Sequence, residues 1–123
     1  MAVRKADFGS FVRRRRERLA AGADGGRFSL RQVAGRVGFQ PTYLSKIERG
    51  IEPPPSEETI KRLAHELDIQ PDVLLAMAGK ISSDLRDVIC RRPELFSELI
   101  RSLKTMPDKA VLRLVREVRD GDW

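Results

Sequence analysis

The stretch Ser29–Gly50 constrains this chain more than any other. It reads S-L-R-Q-V-A-G-R-V-G-F-Q-P-T-Y-L-S-K-I-E-R-G. Ser29 has an N-cap side chain, and Gln32 follows at capping-box spacing. Leu30, Val33, Ala34 and Val37 then recur at intervals that put one apolar stripe on a short helix. Gly38 suits the left-handed backbone that ends a helix and turns the chain. A second helix is predicted from Pro41 to Arg49, with Leu44 and Ile47 inward and Gly50 closing it. Its remaining face, with Gln40 just ahead of it, is polar or aromatic: Thr42, Tyr43, Ser45, Lys46 and Arg49. Two short helices joined by a glycine turn, the second with a thin apolar seam and a hydrogen-bonding face, have the form of a helix-turn-helix.

Charge is distributed in step with this motif. Residues 1–50 carry 12 Lys/Arg against 4 Asp/Glu, a net +8, whereas residues 51–123 carry 12 against 14, a net −2. A basic half joined to a nearly neutral half suits a polyanion partner, although a basic solvated surface is also compatible with the charge alone. Hydrophobic residues are 41% of the 123, enough for a core, and aromatics only 6%, so that core is expected to be aliphatic. No apolar run approaches the ~20 residues that span a bilayer, and the N-terminus leads into a charged helix rather than a signal peptide. The single Cys90 excludes an internal disulfide and fits a reducing compartment, so the chain is expected in the cytoplasm.

The flanking segments extend the helical reading. Residues 1–6 are expected to be a loose arm, with a first helix starting near Asp7 as its cap. Phe8, Val12, Arg15/Arg16 and Leu19 share one face of that helix. Arg16 therefore points inward and needs a partner, for which Glu48 is the candidate. Ala20–Arg27, with three glycines and an aspartate, is expected to be a loop, either passive or meeting a phosphate through backbone amides and Arg27. Three prolines at 53–55 force an extended connector. Ser56 then caps a helix from Glu57 to Leu67 with Ile60, Leu63, Ala64 and Leu67 inward. A fifth helix follows Pro71, with Val73, Leu74 and Met77 inward. His65 has no second ligand in register and is read as a surface or boundary residue.

Gly79 marks a break. Beyond it come three amphipathic helices. The first covers about Ser83–Arg91 with Leu85, Val88 and Ile89 inward. The second starts at Pro93 with Leu95, Phe96, Leu99, Leu103 and Met106 on one side. The third starts at Pro107 with Val111, Leu114, Val115 and Val118. The 44 residues from Lys80 on are too few to bury three such stripes alone. They are expected to dock on the first domain, on a second copy of themselves or on another protein. Cys90 reads as a packing or boundary residue, and Trp123 as either a frayed end or an interface anchor.

The run S-L-R-Q-V-A-x-R-V-G-x-x-P-T-Y-L-S-K-I-E-R-G resembles the helix-turn-helix of Cro/C1-type (xenobiotic-response-element) regulators, over about Phe8 to Met77. The resemblance implies a five-helix, lambda-repressor-like DNA-binding domain at 1–79; the later residues are not part of it, and the helical pattern beyond Gly79 makes the whole an all-α fold with a C-terminal helical dimerisation or partner-binding region at 80–123. It implies double-stranded DNA as partner. Pro41, Thr42, Tyr43 and Lys46 fall where family members read bases in the major groove. Gln40 and Arg49 flank that helix and are expected on phosphates, as are the amides of Ser29 and Leu30 with Arg31 beside them. Arg16 and Glu48 match a structural ion pair of the family. Leu30 stands where many members carry a glutamine, which leaves base reading to Thr42, Tyr43 and Lys46.

The expected function is therefore a sequence-specific transcriptional regulator, a dimeric repressor reading a palindromic operator. Leu95, Phe96, Leu99, Leu103, Val111, Leu114, Val115 and Val118 are its expected dimerisation residues. The alternative is a protein-interaction module, such as an antitoxin that represses its own operon, with those stripes holding a different partner. No enzyme is expected: the chain has no acid/base pair on a shared face, no nucleophile–histidine arrangement and no phosphate-cradling glycine motif. Neither a cofactor nor a metal is expected.

Overall fold

The computed structural model describes residues 5–123, with side chains from Asp7 onward. Of the arm expected at residues 1–6, residues 1–4 lie outside the described residues, while Lys5 and Ala6 are already helical. The described residues are all-helical: α1 (Lys5–Ala20), α2 (Leu30–Val37), α3 (Pro41–Glu48), α4 (Glu57–Glu66), α5 (Pro71–Met77), α6 (Ser83–Arg91), α7 (Pro93–Leu103) and α8 (Asp108–Asp120). No helix among them is long and apolar enough to cross a membrane.

Local chemistry accounts for most helix boundaries. The Ser29 hydroxyl accepts the Gln32 amide at 3.2 Å, and the Ser56 hydroxyl accepts the Thr59 amide at 3.4 Å. Pro41 and Pro71 sit in first turns, where a missing N–H costs nothing. Gly38, at φ 96°, ends α2 by returning its amide to the Ala34 carbonyl. Asp7 lies inside the first turn of α1 rather than capping it, because Lys5 and Ala6 already belong to the helix. The segment expected to be a bare loop contains a 3-10 turn, Gly25–Phe28. Phe28 packs against the core there, and the Arg36 guanidinium, 5.7 Å above its ring, donates to the Arg27 carbonyl at 2.5 Å.

Contacts divide the chain into two compact units, 1–82 and 83–123. In the first, every helix described contributes to one core, aliphatic except for Phe8. Phe8 and Val12 come from α1, Val33, Ala34 and Val37 from α2, and Leu44 and Ile47 from α3. Ile60, Leu63 and Ala64 come from α4, Leu67 follows at its C-cap, and Leu74 and Leu75 come from α5. Val73, expected inward, is 49% exposed, and Leu75 takes its place. A seven-residue helix makes barely two turns, so spacing alone does not choose between adjacent faces. Arginines tie the elements together. Arg15 donates to the Leu67 and Asp68 carbonyls, both at 2.9 Å, and so caps α4. Arg62 donates to the Val37 carbonyl at 3.3 Å and caps α2. Arg36 pairs with Glu66 at 2.6 Å.

The second unit is built differently. Its three amphipathic helices contain no buried side chain. Val88, Ile89, Phe96, Leu103, Met106, Val111 and Leu114 are half-buried. Leu85, expected inward, is exposed, as are Leu95, Leu99, Ile100, Leu112, Val115 and Val118. The Trp123 indole donates to the Val118 carbonyl at 2.9 Å while the ring stays exposed. Cys90 is an exposed free thiol.

Candidate nucleic-acid interface

The recognition-type helix α3 is fixed from behind by α1. The Arg16 guanidinium grips the Glu48 carboxylate with two hydrogen bonds, Nε to Oε2 at 2.7 Å and Nη2 to Oε1 at 2.9 Å. Its third nitrogen donates to the Phe28 carbonyl at 3.2 Å. The two side chains are only 12% and 4% exposed, so this is a desolvated pair whose value depends on keeping both partners. Donating to the Glu48 carboxylate raises the Arg16 pKa above its ordinary value.

Gly9 provides the second half of the clamp. It is buried where α1 crosses the C-terminal end of α3. A Cβ there would run into the Ile47 carbonyl oxygen and come within 2.7 Å of that of Glu48. Only a residue without a side chain lets the two backbones approach this closely. Spacing gave no hint of this, because a glycine inside an amphipathic helix reads simply as a weak position.

With its inner face held, α3 turns Thr42 and Lys46, one turn apart, to solvent. Gln40 and Arg49 are exposed at its two ends. Pro41 is half-buried. Tyr43 is also half-buried, packed against the core with its ring edge-on to Phe39 at 4.8 Å and 86°. The Arg49 side chain reaches back to the Ser45 carbonyl at 3.4 Å, a long contact that leaves its other nitrogens available. At the N-terminus of α2, the Ser29 hydroxyl is occupied by the Gln32 amide. The amides of Leu30 and Arg31 belong to the open first turn, which no intrahelical carbonyl can satisfy. Leu30 is half-buried against the core, and Arg31 is exposed.

The start of α2, α3 and α1 meet around a shallow recess of about 230 Å³ lined by Arg13, Arg16, Leu30, Ser45, Glu48 and Arg49. Arg13 thus reaches the same edge as Arg49. Arg13 donates to Glu17 at 2.8 Å, and this bond lowers the Glu17 pKa and raises that of Arg13. Among the described residues, no cluster of His, Cys, Asp and Glu has the makings of a metal site.

Comparison with known proteins agrees with this geometry. Residues 7–77 match the model of the helix-turn-helix domain. Two proteins from strains of Mycobacterium tuberculosis, CDC 1551/Oshkosh and H37Rv, each named as an uncharacterized HTH-type transcriptional regulator, are 35% identical over 85 residues, 66% of this chain. The aligned part spans about half, 55%, of those relatives' length. No solved structure matches. With more than half its length in the matched domain, the chain belongs to the helix-turn-helix domain family, in keeping with the Cro/C1-type likeness of its sequence.

Proposed function

We propose that this protein is a sequence-specific DNA-binding transcriptional regulator, a dimeric repressor that reads a palindromic operator through residues 41–49. The observation that carries the reading is the pairing of an exposed, hydrogen-bonding face on α3 with a rigid anchorage behind it. A helix that reads base edges must not shift on its scaffold, because each contact depends on sub-ångström placement. The +8 charge of residues 1–50 supplies the phosphate attraction.

In this reading Thr42 and Lys46 contact bases, with Pro41 and Tyr43 setting the approach of the helix. The Leu30 amide, the Ser29 backbone, Arg31, Gln40 and Arg49 meet phosphates. Tyr43, half-buried against Phe39, contributes its edge rather than a freely placed side chain. One such domain covers a half-site, and two half-sites lie ~34 Å apart, so a second copy is needed for full affinity. The apolar positions of 83–123 supply that pairing: Leu95, Phe96, Leu99, Leu103, Val111, Leu114, Val115 and Val118. Work on chromosomal DNA places the protein in the cytoplasm.

Substitution on selected operator and random DNA tests the assignment. Lys46→Ala and Thr42→Ala are each expected to cost roughly 1–3 kcal/mol on the operator and to relax specificity. Arg49→Ala is expected to weaken all sequences alike and to flatten the salt dependence. Equal losses on both DNAs for all three variants reject the base-reading roles. A reporter driven from the operator reads the direction of regulation, and repression is expected. The absence of a buried side chain in 83–123 also suits a different protein as partner, as in an antitoxin. Purification from the native host separates the two, since a stoichiometric second protein favours that alternative.

A further inference from the structure

Four consecutive arginines, Arg13–Arg16, lie on α1, with Arg18 following. Three of these five have clear duties: Arg13 pairs with Glu17, Arg15 caps α4, and Arg16 grips Glu48. Arg14 and Arg18 have no acceptor or acidic partner among the described residues. They lie four residues apart, hence side by side on the helix surface, where two like charges repel. Such a pair is a net cost to the isolated fold unless something anionic joins it.

The two side chains line a groove of about 440 Å³ with Phe11, Arg15, Asp68 and Ile69. Phe11 and Ile69 are half-buried and packed on the core, so they form a fixed apolar wall. Arg15 is held in place by its bonds to the Leu67 and Asp68 carbonyls. The Asp68 carboxylate is almost fully exposed and stands 3.8 Å from Arg15, which partly neutralises that guanidinium and leaves the free charge at Arg14 and Arg18. No residue of α2 or α3 lines the groove, so it does not belong to the candidate DNA face. Its volume lies in the range of small-molecule sites, about 300–1,000 Å³, and its make-up is an apolar wall with a few convergent polar groups.

We propose that this groove binds a small organic anion: an aromatic or branched apolar body seated against Phe11 and Ile69, with a phosphate or carboxylate held between Arg14 and Arg18. The proposal is independent of the operator reading. The ligand would stabilise α1, the helix that clamps α3, because a ligand that binds only the folded state raises its stability.

The test uses the full-length protein and 1-naphthyl phosphate as probe, with inorganic phosphate and 1-naphthol as controls. NMR titration is expected to shift resonances of Phe11, Arg14, Arg18 and Ile69, with at least tenfold weaker binding for either control. The double variant Arg14→Gln/Arg18→Gln is expected to fold with an undiminished Tm and to bind the probe at least tenfold more weakly. Its affinity for duplex DNA is expected to remain within twofold of wild type. Binding of inorganic phosphate as tight as that of the probe would overturn the proposal, since charge alone would then account for it. So would unchanged probe binding in the variant, or shifts centred on residues 41–49. A large loss of DNA affinity in the variant would reassign the two arginines to a phosphate-contacting role and equally overturn it.

Discussion

The described residues of 1–82 and of 83–123 both form amphipathic helices, yet only the first unit closes on itself. Among the described residues of the first, five helices converge on one core in which thirteen apolar side chains are buried. In the second, three helices bury none and leave Leu95, Leu99, Ile100, Leu112, Val115 and Val118 exposed. The difference lies in connectivity more than in hydrophobicity. Short turns at Gly38 and at Asp68 (φ 52°), and the proline connector at 53–55, fold the first five helices back on one another. Arginine caps on α2 and α4 then satisfy helix ends inside the packed unit. A three-helix segment of 41 residues has too little interior to do the same, and its apolar stripes suit a surface that another chain completes.

The largest expected effect contrasts the units directly. Leu44→Ala, in the closed core, should lower stability by about 2–5 kcal/mol, read by urea unfolding at micromolar or lower protein concentration. Leu99→Ala under the same dilute conditions should cost less than about 1 kcal/mol, since an exposed side chain leaves no cavity. Equal losses would break the contrast. Next comes Glu48→Ala, which leaves Arg16 nearly buried without its counter-charge and should cost about 3 kcal/mol or more. Wild-type melting in that variant would mean that the clamp does not hold α3. Gly9→Ala should cost about 1–3 kcal/mol, because its methyl group meets backbone that cannot swing away. It should also reduce operator affinity more than Leu99→Ala does in a chain too dilute to associate.

The smallest effect belongs to the surface pair Arg13–Glu17. Its hydrogen bond lowers the Glu17 pKa, so its contribution is present above the ordinary carboxylate pKa and is lost as pH falls through the lowered value. Both side chains are more than half exposed, so Glu17→Gln should leave the thermal midpoint at neutral pH within experimental scatter. A clear drop in that midpoint would show that Arg13 is held in place for a role beyond solvation.

Helix boundaries were legible because their chemistry is local. Ser29, Gly38, Pro41, Ser56 and Pro71 act within four residues of themselves. The inward direction of Arg16 was legible from its spacing to Val12, and the exposed positions of α3 from their alternation with Leu44 and Ile47. Contacts made across the fold left no such trace. Arg15 meets Leu67 across 52 residues, Arg36 meets Glu66 across 30, and Arg62 meets Val37 across 25. An arginine that caps another helix looks, in sequence, the same as one on a solvated face. Gly9 was hidden for a related reason: its importance lies in what α3 places beside it. Val73 and Leu75 show the limit of periodicity in a helix of two turns.

The central claim is that a self-contained domain presents α3 and that residues 83–123 are completed by a second copy. Sedimentation equilibrium of the full-length chain at micromolar concentration, beside its Leu99→Glu/Val115→Glu variant, tests it most directly. The account predicts twice the chain mass for the wild type, and a monomeric variant with the same helical content and much weaker operator binding. A monomeric wild type that still binds its operator tightly would contradict it.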